Sequence, residues 1–268
     1  SRGFLLGATA GRTTLNGEGL QHEDGHSHLL SATIPNCISY DPCFSYELAV
    51  IIQNGLERMI KNQEDVFYYI TIMNENYTHP EMPKNINEDI IKGIYKYSEN
   101  KAKGPKVQLM GSGVILREVI EAGSILEKDF NVSSTIFSVT SFTEVRRNAL
   151  DIQRWNMLNP DKTEKKSTLD EIIIDLESPI ITATDYMKSF AEQIATFLPN
   201  KFISLGTDGF GRSDSREALR DFFEVDRNHI VIAALKALTE KQEIEKSVLL
   251  SAIKKYKIMN DKPNPVSL

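Results

Sequence analysis

Apolar residues recur at helical spacing over residues 46–60, just after Pro42, and predict a helix there. Residues 67–72, FYYITI, are β-branched and aromatic and predict a strand. A short helix is expected over 90–97. Residues 101–106, KAKGPK, are charged and broken by Gly-Pro, so they read as a linker. The alternation then restarts, with a strand at 107–110, a turn at Gly111-Ser112-Gly113 and a helix over 114–126. Further strands are expected at 134–139, 180–184 and 202–205. Thr184-Asp185 offers a cap for a helix over 186–197. Asp214 followed by Glu217 has the spacing of a capping box ahead of a helix at 216–223. Asp226 can cap a helix covering 231–238, and 245–256 forms a last amphipathic helix. Strands alternating with helices of roughly 10–15 residues predict the α/β class with a mostly parallel sheet. The most polar stretch, 159–170, is expected to be an exposed loop.

One segment breaks this rhythm. GRTTLNGEGLQHEDGHSH, residues 11–28, holds three of the five histidines, and its His22-Glu23-Asp24-Gly25-His26 fits the pattern H-E-x-x-H. That zinc motif works only on a helix, which puts residues i and i+4 on one face. Here Gly17, Gly19 and Gly25 each cost a helix about 1 kcal/mol, and there is no apolar stripe to pack it. The segment is therefore read as a glycine-rich loop. Three readings of it stay open at this level: a solvent-facing polar loop, an irregular metal site through His22, His26 and His28, or a ligand site using imidazole for proton transfer. Gly111-Ser112-Gly113 resembles half of a dinucleotide fingerprint but lacks the third glycine, so a tight strand-to-helix turn is the plainer reading. Residues 206–213, GTDGFGRS, could be an anion-binding corner with Arg212 as donor, or a turn whose arginine pairs internally.

Charge and composition narrow the partners. The 268 residues, enough for one large domain or two smaller ones, carry 31 basic against 37 acidic side chains, a net charge of −6. That disfavours nucleic acid or an anionic membrane as the main partner. The longest apolar runs, 48–52 and 230–235, are far too short to span a bilayer, and no secretory h-region is present. Two cysteines, Cys37 and Cys43, make no disulfide scaffold, so a reduced, cytoplasmic protein is expected. The chain opens on Ser1 without an initiator Met and is expected to be part of something larger.

Several stretches then point to one family. In order, they are residues 11–28, IPNCISYDP (34–42), NENY (74–77), SVTSFTE (138–144), RWNMLNP (154–160), TDYMK (184–188) and GTDGFGRSDSRE (206–217). Together they resemble the C-terminal third of the homodimeric, bacterial-type pyruvate dehydrogenases (acetyl-transferring) of the transketolase superfamily, over essentially all 268 residues. The resemblance implies that residues 1–82 are the tail of the middle, pyrimidine-binding domain. Residues 83–268 would be the transketolase C-terminal domain, an α/β sheet with one strand reversed. It implies a homodimer, pyruvate as substrate, thiamine diphosphate and Mg²⁺ as cofactors, and reductive acetylation of lipoyl groups on the acetyltransferase core.

The resemblance also assigns roles. Transketolases carry G-E-D-G-P-T-H with the histidine 13 positions before the proline of T-P-N, and His22 lies 13 before Pro35. His22 thus matches the catalytic histidine that hydrogen-bonds the substrate-derived oxygen at the thiazolium. Glu18 matches the acidic residue facing the substrate channel, and His26 and His28 have no firm counterpart. Nothing convincing matches the family's G-D-G…N motif for Mg²⁺ and diphosphate; Asp24-Gly25 with Asn54 is only loosely similar, and Asn54 falls in an expected helix. The glutamate that activates the aminopyrimidine lies upstream of Ser1 in the family. No cofactor is therefore expected on these residues alone, which predicts an inactive fragment. The alternative expectation is a non-catalytic α/β module for dimerisation or partner binding.

Overall fold

The computed structural model describes residues 1–8 and 10–268. Two sheets form the frame. The first is parallel, in the order β1 (Phe4–Ala8), β3 (Phe67–Ile72), β2 (Cys37–Tyr40). Helices α1 (Ser27–Ala32) and α2 (Ser45–Leu56) lie in its connections. The second sheet has the order β4-β6-β5-β7-β8, from β4 (Tyr95–Glu99), β5 (Lys106–Gly111), β6 (Ser133–Ser138), β7 (Ile180–Ala183) and β8 (Phe202–Leu205). Its strands run parallel except β4, which pairs antiparallel with β6. The α/β class with mostly parallel strands, one reversed, is the architecture found. The remaining helices are α3 (Asn87–Lys92), α4 (Leu116–Phe130), α5 (Phe142–Leu158), α6 (Thr168–Ile172), α7 (Lys188–Glu192), α8 (Arg216–Phe222), α9 (Arg227–Glu240) and α10 (Lys246–Lys255).

Strand alternation splits the second sheet's core in two. Leu109 of β5 joins Val119, Leu126, Val231 and Leu235 under α4 and α9. Its neighbour Met110 points the other way, to Phe137, Phe142, Val145 and Phe190 under α5 and α7. A third cluster, with Ile38, Ile51, Tyr68 and Ile70, packs α2 on the first sheet.

The two sheets are joined by buried carboxylates. Asp41, just after β2, accepts from Thr71 Oγ1 at 2.7 Å and from Ser112 Oγ at 2.8 Å, while its carbonyl takes the Gly113 amide at 2.9 Å. Gly113 has φ +50°, and a Cβ there would press on the Asp41 carboxylate. Glu47 of α2 is fully buried and accepts four bonds, from the Cys43 and Phe44 amides and from the hydroxyls of Tyr95 and Ser138. Those last two belong to β4 and β6, so one side chain ties α2, which packs on the first sheet, to the second.

Five expectations are corrected. The helix over 90–97 stops at Lys92: Gly93 takes φ +100°, and the chain turns into β4. A side chain at Gly93 would strike the Ser141 carbonyl, so the reversal is fixed by tertiary packing. Residues 101–106 are not a linker between domains but the β4–β5 connection within one sheet, held by Ser133 N to Pro105 O at 2.8 Å. The helix over 186–197 is only the five residues of α7 followed by a single 3₁₀ turn, and Asp185 does not cap it. The cap of α8 is Ser215, accepting from the Ala218 amide, rather than Asp214. The polar stretch 159–170 is exposed over 160–166 and then enters α6, with Ser167 as its cap.

Candidate active site

The loop 11–28 is a rigid platform because three buried side chains fasten it to the far end of the sequence. Asp185, at the end of β7, accepts the Thr13 amide at 2.9 Å and the Thr14 hydroxyl at 2.6 Å, and its carbonyl takes the Arg12 amide at 3.1 Å. Gly11, at φ +89°, leaves the room that this carboxylate occupies. Burial raises the Asp185 pKa, opposed by the Thr14 hydrogen bond and the charge of Arg220. Asp185 was expected to cap a helix; its lone pairs are spent on the loop instead.

Arg12 is the second fastener. Its buried guanidinium donates to the carbonyls of Thr207 (2.6 Å) and Gly209 and lies 3.2 Å from His26 Nδ1. Burial lowers its pKa, against the charges of Asp24, Glu23, Asp185 and Asp208. Gly25 is required beside it, since a Cβ would meet the guanidinium at 2.5 Å. Glu23 is the third. Its Oε2 accepts the Arg212 amide at 2.5 Å, and burial pushes its pKa up to about 6.

On this platform Leu20–His22 form a single 3₁₀ turn. His22 Nδ1 lies 3.4 Å from Glu18 Oε2, and both side chains are more than half exposed. The two residues matched to the family's site are thus neighbours, open to solvent and to whatever packs above the loop. An imidazole paired with a carboxylate can donate a hydrogen bond and act in proton transfer.

The other two histidines of the loop lead elsewhere. His28 is sealed in α1, its Nε2 2.9 Å from Thr71 Oγ1 and its ring stacked on Phe190 at 4.7 Å. Burial drives its pKa down to about 3. His26 sits against a guanidinium, which repels a cation. His22, His26 and His28 therefore point to three different surroundings, and H-E-x-x-H describes no shared face here. Among the described residues, a group of three metal-capable side chains lies instead at Asp221, Asp226 and His229, where Asp226 Oδ1 is already engaged by the His229 amide and ring.

The remaining glycine-rich pieces are filled from within. The Gly111-Ser112-Gly113 turn holds the Asp41 carboxylate, and the 206–213 corner holds Glu23. The corner does bind an anion through Arg212, but the anion is the protein's own and the donor is the backbone amide; the guanidinium lies over the Phe222 ring at 5.3 Å. Nor do Asp24 and Asn54 form a metal pair. Asp24 is consumed by the His26 and Ser27 amides and the Ser27 hydroxyl, and Asn54 accepts from Tyr68.

Comparison with known proteins bears on this geometry. Residues 1–80 match the model of the pyruvate dehydrogenase E1 component middle domain, and 93–226 match the transketolase-like C-terminal domain. The pyruvate dehydrogenase E1 component of Cupriavidus necator is 55% identical over 100% of this chain and 30% of its own length. That of Escherichia coli K12 is 56% identical over 99% of this chain and 30% of its own length. The chain therefore spans about 30% of the length of these relatives. The crystal structure of Campylobacter jejuni transketolase superposes with TM-score 0.64 at 14% identity, covering 87% of this chain and 31% of that one. With half of its length matched by the model of the transketolase-like C-terminal domain, the chain belongs to the transketolase-like family, and along its whole length it is similar to pyruvate dehydrogenase E1 components.

Proposed function

We propose that the chain is the part of a thiamine-diphosphate-dependent pyruvate dehydrogenase (acetyl-transferring) that presents His22 and Glu18 to the substrate. The observation that carries this reading is the exposed Glu18–His22 pair, 3.4 Å apart, on a loop whose underside is locked by Asp185, Arg12 and Glu23. A site on so firm a base is preorganised, which is what electrostatic catalysis needs. In this reading His22 donates a hydrogen bond to the substrate-derived oxygen and Glu18 faces the substrate channel. Residues 1–82 and 83–268 are the two structural units.

The residues present do not fit the cofactor's diphosphate and metal, because Asp24 and Asn54 are already engaged within the fold. Thiamine diphosphate and Mg²⁺ are accordingly assigned to protein outside these 268 residues. The partners in this reading are a second copy of the enzyme and the lipoyl-bearing acetyltransferase core, in the cytoplasm.

The test is His22→Ala in an active enzyme containing this chain. A preorganised donor of this kind is typically worth about 10²–10³-fold in rate. kcat for pyruvate should fall by that order, with cofactor affinity and folding intact, since an exposed imidazole leaves no cavity. Near-normal turnover in the variant would remove His22 from the mechanism.

A further inference from the structure

We propose that Glu23 is a positioning residue for the reaction, holding the His22 turn in place by clamping it to the 206–213 corner. The inference rests on the role given to His22 above. Glu23 follows His22 in the chain and closes the 3₁₀ turn, its own amide bonding Leu20 O at 3.3 Å. Its side chain is 5% exposed and reaches across to the Arg212 amide, 189 residues away in sequence. The approach is possible only because residue 211 is glycine. A Cβ there would sit 2.8 Å from both Glu23 Oε2 and Leu20 O, that is, against the clamp and the turn together.

The loop leading into the turn is held as well. Gly17 N donates to Asp214 O at 3.1 Å, and Arg216 Nε donates to Thr14 O at 2.8 Å. A carboxylate buried this deeply is costly unless it is paired. Yet Glu23 Oε1 has no hydrogen-bond partner among the described residues. Its charge is supported by Arg12 and opposed by Asp185, and it accepts from the Arg212 amide. An expensive carboxylate kept beside the reacting group is characteristic of functional sites. With burial raising its pKa to about 6, Glu23 loses its charge, and part of the clamp, as pH falls through 6.

The experiment compares Glu23→Gln, Glu23→Ala and Gly211→Ala with wild type in an active enzyme containing this chain. The ring titration of His22 is followed by NMR on the same proteins. Glutamine keeps an oxygen for the Arg212 amide, so Glu23→Gln should fold and turn over within a few-fold of wild type. It should also erase a limb near pH 6 in the kcat/KM profile. Glu23→Ala and Gly211→Ala should lower kcat by on the order of 10–10²-fold, the scale for a catalytic group misplaced by about 1 Å, with KM changed far less. In both, the His22 titration midpoint should move, whereas in Glu23→Gln it should not. An unchanged midpoint in all three variants would overturn the clamp whatever the activity. Wild-type kcat and pH profile in Glu23→Ala would overturn it too, provided His22→Ala is impaired. If His22→Ala itself turns over normally, the role of His22 falls, and the NMR result still decides whether Glu23 sets the turn.

Discussion

His28 Nε2 and Thr71 Oγ1 lie 2.9 Å apart, and the same Thr71 hydroxyl lies 2.7 Å from Asp41 Oδ1. When Asp41 is ionised the hydroxyl must donate to it, so Nε2 carries the imidazole proton and donates to Thr71. A cation at His28 would lie among Tyr69, Tyr186 and Phe190. Burial holds the ring's pKa at about 3, far below its ordinary 6.5.

The sign of the resulting pH dependence follows. Between pH 6.5 and 3 the unfolded chain binds a proton at His28 that the folded chain refuses, so stability falls as pH drops through that window. At about 1.4 kcal/mol per pH unit, the loss reaches about 2 kcal/mol by pH 5. Asp41 works in the opposite sense, since burial raises it to about 7 and its ionisation costs stability as pH rises towards 7. The two are separated by comparing wild type with His28→Phe in urea unfolding. The wild type should lose stability relative to the variant as pH falls from 6.5. A difference independent of pH would show that His28 protonates in the fold.

Asp185→Ala should release the loop without unfolding the domain. It leaves the Thr13 amide and Thr14 hydroxyl without their acceptor, at about 1–3 kcal/mol for each buried group so orphaned. The expected result is faster amide exchange and proteolysis confined to residues 11–28, with the α4–α9 core still protected. Uniform loss of protection would mean that Asp185 supports the whole unit rather than the loop.

Calorimetry of the 268-residue chain with thiamine diphosphate and Mg²⁺ should give no one-site isotherm, and no pyruvate decarboxylation should accompany it. The reason is specific: Asp24 and Asn54, the loose match to the family's G-D-G…N motif, are bonded within the fold. A stoichiometric isotherm would reveal a cradle made of other residues.

What was legible in the sequence depended on how far apart the interacting residues stand. Strands β3, β5, β7 and β8 announce themselves as short apolar, β-branched or aromatic runs, helices α2 and α10 by the spacing of their apolar residues and α9 by its Asp226 cap. β1, β2, α1 and α5 did not. β2, CISY, is four residues with a single β-branched side chain. α5 is mostly polar, and within it only Phe142, Thr143, Val145 and Ala149 are buried. In the site, His22 and Glu18 came from family resemblance, not from periodicity. The fasteners beneath them are not visible to a local reading: Asp185 looks like a helix cap, Glu23 like part of an H-E-x-x-H motif, and His28 like one more histidine in a polar loop. Each is committed to a residue more than 40 positions away, and such pairings leave no mark in a local window.

The loop's dependence on distant residues also sets an order of events. Thr14 waits for Asp185, Arg12 for Thr207 and Glu23 for Arg212, spans of 171, 195 and 189 residues. During synthesis from the N-terminus at about 5–20 residues per second, these partners emerge roughly ten to forty seconds after the loop itself. Residues 11–28 therefore leave the ribosome with their glycines unrestrained and take their working shape only once β7 and the 206–213 corner have formed. A nascent chain cut short before Arg212 carries His22 and Glu18 but not the full frame that aims them.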